Sequence, residues 1–369
     1  MNSVLIVGAG VAGSALAILL RRGGVAVEIA EINPDLTALG SGITLQGNAL
    51  RQLRDLGVWD RVRAAGYGFD TFAVRAPDGS LLAEMSDYRT GGDDLPATLG
   101  MNRPELAAIL HDAVKESGAT VRFGLTVASL TQSGERVDVR FSDGSAGTYD
   151  LVVGADGVRS HIRELIGIET RPEPVGMGIW RVHTRRPASV ERTDLVYGGS
   201  CYIAGYCPTS DTEMYAYLVE DARPKGAVAP ADMAAEMRRL AESYGGAWRE
   251  IAEDLTDSAR INYTWFESLL VDRPWNRGRV VVIGDAAHAC PPTLAQGAAM
   301  CLEDAAVLAE LILAGGPDLF ATFMDRRYDR VKRVVEASVQ LCAWQLAHTR
   351  DADVLGLMGE VAALLTERP

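Results

Sequence analysis

The chain has 369 residues, of which 48% are hydrophobic and 23% charged, a composition typical of a protein with a well-formed core and not of a disordered one. Its 49 acidic and 36 basic side chains give a formal net charge of −13, which argues against nucleic acid or an anionic membrane as the main partner. The length predicts about two domains.

The cysteines and histidines argue against two classes of site. Five cysteines occur without a C-x-x-C pair, and five histidines occur without H-x-x-x-H spacing. Neither a disulfide framework nor a zinc site is therefore expected. Free thiols are typical of the reducing cytoplasm, so we expect a cytoplasmic protein without a metal ion.

The first twenty residues carry no charged side chain, which suits either a signal peptide or a buried strand that runs into a helix. No Lys or Arg precedes the apolar run and glycines interrupt it, so the second interpretation is favoured. Val4–Val7 predicts a central parallel strand, residues 11–22 predict a helix, and Val25–Glu31 predicts a second strand. Together they form a β-α-β unit.

This unit contains the sequence GAGVAG at residues 8–13. Gly8 permits a tight turn, Gly10 lets a pyrophosphate approach the backbone, and Gly13 lets the helix pack on the strand. The helix N-terminus offers N–H groups to phosphates. Glu31, 23 residues after Gly8, can accept hydrogen bonds from ribose hydroxyls. The motif predicts an adenine dinucleotide site but does not distinguish FAD from NAD.

The middle of the chain alternates between helices and strands. Residues 47–57 predict a short helix, residues 71–86 a hairpin that turns at Pro77-Asp78-Gly79, and residues 104–117 a helix. Residues 119–153 predict three more strands.

From Gly176 to about Val219, aromatic-rich alternating stretches predict longer antiparallel strands with one face toward a pocket. A helix over residues 230–244 and a strand over Ile261–Glu267 follow. Arg279–Ile283 is again a buried β-branched strand, and helices are predicted near residues 298–313 and 318–349. The second architecture is therefore inserted within the first.

Two further segments carry a family resemblance. Residues 278–305 read GRVVVIGDAAHACPPTLAQGAAMCLEDA, and residues 150–160 read DLVVGADGVRS. With the glycine motif, they resemble the para-hydroxybenzoate hydroxylase family of single-component FAD monooxygenases. The resemblance implies an α/β fold, in which a Rossmann-like FAD-binding domain carries an inserted antiparallel β-sheet substrate domain. No second G-x-G-x-x-G occurs, which fits a family that binds NAD(P)H only transiently.

The resemblance also implies domain boundaries. Residues 1–70, 98–172 and 273–349 would form the FAD-binding domain, and residues 71–97 and 173–272 the substrate-binding domain. Residues 350–369 would form a C-terminal helical segment.

The resemblance implies FAD contacts along the whole chain. The ADP half would meet Ala12, Glu31 and Ile32, beside the motif glycines Gly8, Gly10 and Gly13. Thr44, in the turn Gly40-Ser41-Gly42-Ile43, would lie beside the flavin. The other implied contacts are Arg103, Val127 (through its backbone), Asp156 (which also serves NAD(P)H), Asp285 (on the ribityl chain), and the backbone of Gln296, Gly297, Ala298 and Ala299 at the flavin ring edge. Ala295 departs from the glycine of many members, and we expect it to adopt that turn only with a negative φ.

The implied activity is the hydroxylation of a small aromatic or N-heteroaromatic substrate with NADH or NADPH and O₂, through a flavin C4a-hydroperoxide. Pro292 would place its carbonyl over the flavin. His288 is either a structural hydrogen-bonding residue or a catalytic base. Tyr215, which shares a strand face with Tyr217, either packs or contacts substrate. Arg181 either pairs with a substrate carboxylate or forms a structural salt bridge.

Several alternatives to a small aromatic substrate remain. The same fold could act on a polycyclic natural product or antibiotic. A flavin-dependent halogenase or isoprenoid reductase is less favoured, because the halogenase Trp-x-Trp-x-Ile-Pro motif is absent. A non-catalytic dinucleotide-binding protein is the last alternative. The expected assembly state is a monomer or a homodimer.

Overall fold

A computed structural model describes residues 1–35 and 42–369 of the chain. The strands of this part of the chain are β1 (Ser3–Val7), β2 (Ala26–Glu31), β3 (Gly42–Gln46), β4 (Gly66–Phe69), β5 (Thr71–Arg75), β6 (Leu81–Ser86), β7 (Thr98–Asn102), β8 (Thr120–Phe123), β9 (Val127–Ser133), β10 (Arg136–Phe141), β11 (Ala146–Tyr149), β12 (Leu151–Gly154), β13 (Glu173–Arg185), β14 (Thr193–Val196), β15 (Ile203–Pro208), β16 (Glu213–Asp221), β17 (Ile261–Leu270), β18 (Asn276–Arg277), β19 (Val280–Val282) and β20 (His288–Ala289). The helices are α1 (Val11–Arg22), α2 (Gly47–Asp55), α3 (Trp59–Ala65), α4 (Arg103–Ser117), α5 (His161–Leu165), α6 (Met233–Ala241), α7 (Ala247–Asp254), α8 (Gly297–Ala314), α9 (Leu319–Leu346) and α10 (Val354–Thr366).

The first sheet gathers strands from distant parts of the sequence, in the order β18-β19-β12-β1-β2-β8. All of its pairs are parallel except that of the edge strand β18. Its central strand β1 is apolar and almost wholly buried, as a strand covered on both faces must be.

The carboxyl ends of the parallel strands meet at one edge of this sheet. There β1 leads to Gly8, β12 ends at Gly154 and β19 is followed within two residues by Gly284, while Glu31 ends β2. In open α/β sheets this edge is where ligands bind. The fold thus brings three separate sequence motifs to a single place.

The second sheet has the order β20-β17-β13-β16-β15-β14-β5-β6, and it is antiparallel except where β14 pairs with β5. Alternate side chains serve its two faces. Trp180 and Leu218 belong to one buried cluster with Trp248 of α7, and Arg181 and Tyr217 lie on the opposite face. This alternation leaves one face free to border a cavity.

A smaller sheet of order β3-β7-β4 lies against the second sheet. A Cβ on Gly100 of β7 would lie 2.1 Å from the carbonyl oxygen of Pro208 and 2.6 Å from Sγ of Cys207. Only glycine permits this approach of two backbones. A further antiparallel sheet has the order β11-β10-β9.

The fold class predicted from the sequence is confirmed, because a Rossmann-like parallel sheet and an inserted antiparallel sheet are both present. Two local expectations were wrong. Residues 119–153 form five strands instead of three, and the helix at 230–244 is shortened to α6, with α7 following it. In addition, α3 was not predicted. The domain boundaries remain a prediction. Among the described residues, no helix combines the length and hydropathy needed to cross a membrane.

Candidate active site

A cavity of about 1060 Å³ extends from the carboxyl edge of the parallel sheet to the free face of the antiparallel sheet. Most residues singled out from the sequence border it: Gly8, Gly10, Ala12, Glu31, Ile32, Thr44, Arg103, Asp156, Arg181, Tyr215, Asp285, Pro292, Gln296, Gly297 and Ala298. Four do not border it, namely Gly13, Val127, His288 and Ala299.

The glycine motif forms a tight connection at one end of the cavity. Gly8 has a φ of 106°, and a Cβ on it would lie 2.3 Å from the carbonyl oxygen of Ala155. A Cβ on Gly13 would lie 2.0 Å from the carbonyl oxygen of Gly8, so Gly13 serves helix packing. No heavy atom lies within 4 Å of the Cβ position of Gly10. The space above Gly10 and the N-terminus of α1 suits a diphosphate.

Glu31 is tied to this loop by its own hydrogen bonds. Its Oε2 accepts a bond of 2.8 Å from the backbone N–H of Ala9, and its Oε1 accepts bonds from the backbone and side chain of Asn33. The carboxylate is buried, whereas Ile32 beside it is 66% exposed. These bonds hold the carboxylate at the cavity, with lone pairs left to accept from a ribose.

Asp285 reaches the same cavity from the end of β19. A Cβ on Gly284 would lie 3.0 Å from Cβ of Ala12, so a glycine lets this strand end approach α1. The side chain of Asp285 is open to the cavity. The surrounding protein raises the pKa of Asp285 by limiting hydration of the carboxylate, while His288 and Arg103 oppose this shift. Its carboxyl can therefore exchange hydrogen bonds with hydroxyl groups, as a ribityl chain requires.

The loop before α8 adopts an unexpected conformation. Ala295 has a φ of 52° and a ψ of 31°, so our expectation of a negative φ was wrong. Its N–H donates a bond of 3.1 Å to the carbonyl of Pro292, which closes a 3-10 turn. Gln296 follows, and its Oε1 accepts a bond of 3.0 Å from Nδ2 of Asn48. The turn thus fixes Gln296 at the N-terminus of α8.

Asp156, at the cavity edge, caps a helix. Its carboxylate accepts hydrogen bonds from the hydroxyl of Ser160 and from the backbone N–H groups of His161 and Ile162. These bonds cap the first turn of α5. The predicted contacts of Asp156 with FAD and NAD(P)H stay predictions.

The antiparallel sheet presents Arg181 and two tyrosines to the cavity. Arg181 lies opposite Tyr217 on β16 and opposite Asn262 on β17, and its Nη1 donates a bond of 2.9 Å to Oγ1 of Thr264. The rings of Tyr215 and Tyr217 are stacked with centroids 5.7 Å apart. None of the ion pairs among the described residues includes Arg181, and burial lowers its pKa.

Thr44 supports Tyr215 from the neighbouring sheet. Its Oγ1 is hydrogen-bonded to the phenol oxygen of Tyr215 and lies 3.8 Å from Sγ of Cys207. Burial, followed by the Cys207 thiol, raises the pKa of Tyr215. The phenol therefore stays protonated at neutral pH. Gly40 and Ser41, of the turn predicted before Thr44, lie outside the described residues.

His288 is buried beside the cavity instead of facing it. Its Nε2 lies 2.7 Å from Oδ2 of Asp304, and its ring packs on Trp275 with centroids 5.3 Å apart. This placement favours the structural alternative over the catalytic base, because a base must reach the substrate. Val127 and Ala299 are fully buried.

Sequence reasoning missed two parts of the cavity wall. Five apolar side chains of α10 border the cavity: Val354, Met358, Val361, Ala362 and Leu365. Gln345 of α9 also borders it, and its Oε1 is a buried acceptor to which no described residue donates. No motif marks either part, because their role depends on which surface they pack against.

The fold and this cavity define a class: a flavoprotein with a dinucleotide cradle on a parallel sheet and a separate sheet for the substrate. The open space above Gly10, the placement of Glu31 and the accessible carboxyl of Asp285 fit an FAD molecule extended along the cavity. Comparison with known proteins agrees. The family described as FAD binding domain matches residues 1–338.

Two curated relatives and one solved structure show the extent of the likeness. The chain is 34% identical to 2-heptyl-3-hydroxy-4(1H)-quinolone synthase of Pseudomonas aeruginosa, over 91% of this chain and 87% of the relative. It is 30% identical to aurachin C monooxygenase/isomerase of Stigmatella aurantiaca, over 92% and 88%. The crystal structure of Klebsiella pneumoniae HpxO complexed with FAD and uric acid shares the fold, with a TM-score of 0.85 at 21% identity over 99% and 92% of the two chains.

The chain therefore belongs to the family of single-component FAD-dependent aromatic hydroxylases. Its cofactor is FAD, and NAD(P)H and O₂ are the co-substrates of this family.

Proposed function

We propose that this monooxygenase hydroxylates an N-heteroaromatic ring that carries an acidic oxygen, and that Arg181 binds this oxygen. The observation that carries the proposal is the position of Arg181 in an aromatic cavity without a carboxylate partner among the described residues. The titratable groups that act on it are the Arg103 guanidinium and the neutral hydroxyls of Tyr215 and Tyr217. A guanidinium in such a place stabilises a bound anion.

The relatives support the choice of ring. The relative at 34% identity is named for the synthesis of a 3-hydroxy-4(1H)-quinolone, a ring with both a nitrogen and an oxygen. In this chain, Gln345 supplies an acceptor without a donor, which suits a ring N–H, and Arg181 suits the oxygen. The two residues lie on α9 and β13, on different walls of the cavity.

The chain's own residues would orient and protect the reacting ring. Bound FAD supplies electron transfer from NAD(P)H and the activation of O₂. The N-terminus of α8, at Gly297, offers partial positive charge to a negatively charged edge of the flavin ring. Arg181 would hold the substrate oxygen in its ionised form, which makes the ring electron-rich. Tyr215, held protonated, would donate a hydrogen bond and not act as the base.

The test is substrate-stimulated NAD(P)H oxidation by the purified holoenzyme, with product identified by mass spectrometry. 4(1H)-Quinolones, hydroxypyridines and aromatic acids are compared with the same rings lacking the acidic oxygen. Arg181→Met is expected to raise KM for the oxygen-bearing rings roughly 10- to 100-fold, because a charged hydrogen bond is lost. Arg181→Lys should restore only part of the lost affinity, because a lysine ammonium cannot form the bidentate hydrogen bonds of a guanidinium.

Arg185→Met is the matched control, because Arg185 is exposed on the same strand and does not border the cavity. It should leave KM unchanged. The proposal fails if Arg181→Met has no larger effect on KM than Arg185→Met for every ring that is hydroxylated.

We further propose a cytoplasmic monomer or homodimer. All five cysteines are free thiols, four of them buried, which suits a reducing compartment. Light scattering of the holoprotein tests the assembly state, and a tetramer would contradict it.

A further inference from the structure

The cavity has an apolar wall that the proposed function does not use. There α10 contributes only apolar side chains to the lining, and they include Met358, Val361 and Ala362. Ile203 and Val219 of the antiparallel sheet and Leu341 of α9 border the same cavity. Such a surface is stabilised by apolar contact and offers no hydrogen bond to a polar substituent.

Two buried arginines hold the C-terminal end of α10. Arg51 donates from Nη1 to the carbonyl of Thr366 at 2.9 Å and from Nη2 to the carbonyl of Glu367 at 3.0 Å. Arg330 donates from Nη2 to the carbonyl of Glu367, also at 3.0 Å. The last carbonyls of a helix lack partners within the helix, so these bonds satisfy them. They also place positive charge at the negative end of the helix dipole, which is favourable.

Arg330 is itself fixed by a buried carboxylate. Glu303 of α8 binds Nε and Nη2 of Arg330 at 2.8 and 2.9 Å, and it accepts a bond of 3.2 Å from Asn48. Asn48 also bonds Gln296 at the cofactor end of the cavity. A single hydrogen-bonded cluster thus sets the position of α10 relative to the loop that precedes α8.

The N-terminal end of α10 reaches the surface. Val354 and Leu355 are 38% and 56% exposed, and Tyr88, whose hydroxyl lies near Gly359, is 39% exposed. Val354 and Tyr88 both border the cavity. The cavity therefore reaches the surface beside the first turn of α10.

We propose that α10 is a specificity-determining element, which packs against an apolar substituent of the aromatic substrate. Met358 and Ala362 limit the length of that substituent, and Arg51 is a positioning residue for the helix. This inference rests on the proposed function, because it places the ring at Arg181 and the substituent toward α10.

The test uses 2-alkyl-4(1H)-quinolones with methyl to nonyl chains. Their dissociation constants are measured from the change in flavin absorbance of the resting holoenzyme, and KM and kcat are measured in turnover. Affinity should rise about fourfold for each added methylene until the chain reaches the end of the apolar wall. Affinity independent of chain length would overturn the proposal.

Two neighbouring alanines provide a matched pair of variants. Ala362 is buried and borders the cavity, whereas Ala363 is exposed and does not. Ala362→Leu should raise the dissociation constant of the quinolone with the longest chain that fits by at least tenfold, and it should leave that of the methyl quinolone unchanged. Ala363→Leu should leave both dissociation constants unchanged. Equal chain-length profiles for the two variants would contradict a role for α10.

Arg51→Lys and Arg54→Lys test the positioning role on one helix. Arg54 pairs with the exposed Asp94, and its side-chain hydrogen bond goes to that residue instead of to α10. Arg51→Lys should reduce the affinity ratio of long to short chains several-fold with FAD content unchanged, and Arg54→Lys should not. If Arg51→Lys lowers yield or stability without changing the affinity ratio of long to short chains, Arg51 has only a structural role and is removed from the proposal.

Failure of the proposed function is recognised separately. If the methyl compound is hydroxylated and chain length has no effect, only the inference on α10 fails. If no quinolone binds or is hydroxylated, the proposed ring class fails and this inference fails with it.

Discussion

Ala295 is a non-glycine residue in the left-handed region of backbone conformation, with a φ of 52°. The turn begins at Pro292, whose carbonyl accepts the hydrogen bond from the N–H of Ala295. The next residue, Gln296, is hydrogen-bonded to Asn48. A left-handed conformation costs an L-residue about 1–2 kcal/mol. The surrounding hydrogen bonds maintain it, as is common at functional sites.

Ala295→Gly should therefore raise the free energy of unfolding of the holoprotein by about 0.5–1 kcal/mol. The relieved strain exceeds the entropy that a glycine adds to the unfolded chain. Ala306→Gly, inside α8 where φ is negative, should lower it by about 1 kcal/mol. Urea denaturation measures both, and equal losses in the two variants would show that Ala295 is unstrained.

At the scale of elements, α8 and α9 are joined by buried charges. Glu303 and Asp304 of α8 and Arg327 of α9 are fully buried, and Arg327 bonds Glu303 at 2.7 Å and Asp304 at 2.8 Å. Asp304 also accepts a bond of 2.9 Å from the N–H of Gly284. The cluster thereby links the two helices to the strand end that carries Asp285.

Removing one charge from this cluster should be costly. Glu303→Gln leaves Arg327 and Arg330 buried without a full partner, so we expect the free energy of unfolding to fall by about 3–5 kcal/mol. Glu310→Gln on the same helix breaks a partly exposed pair with Arg326 and should cost about 1 kcal/mol or less. Thermal or urea unfolding of the two variants checks this, and similar small losses would contradict the argument.

At the scale of the whole molecule, every cysteine thiol has a pKa raised by burial. The pKa of Cys207 rises to about 11, and those of Cys290 and Cys342 to about 12. In the unfolded chain these thiols ionise near pH 9. The folded state therefore binds more protons than the unfolded state above that pH.

The stability from these raised pKa values is fully present below about pH 9 and is lost as pH rises toward 11–12. Each thiol should lower the free energy of unfolding by about 1.4 kcal/mol per pH unit within that window. Urea midpoints at pH 8 and pH 10, under reducing conditions, measure the loss. Cys342→Ala should show a smaller drop between the two pH values than the parent, and an equal drop would contradict this origin.

Local chemistry explains what could be predicted of the fold and site. The turn at Gly8 and the β-branched strands around Val4–Val7 and Arg279–Ile283 follow from short-range rules, and they locate the dinucleotide cradle. The strands in residues 119–153 were counted as three instead of five, because the turns between them are only a few residues long. Turns this short are difficult to separate from the strands by their sequence pattern.

Glycine spacing and strand burial act over short stretches of chain, so the sequence by itself predicted a dinucleotide site and the sheet edge that carries it. The choice of FAD and of the inserted substrate sheet followed from the resemblance of residues 150–160 and 278–305 to the hydroxylase family. Only the tertiary structure decided the conformation of Ala295, the burial of His288 against Asp304, the free face that presents Arg181, and the place of α10 in the cavity wall. The turn at Ala295 is closed locally by Pro292, but it is held in place through the bond between Gln296 and Asn48. The other three features depend on contacts between residues far apart in sequence, whose free energy no local pattern contains.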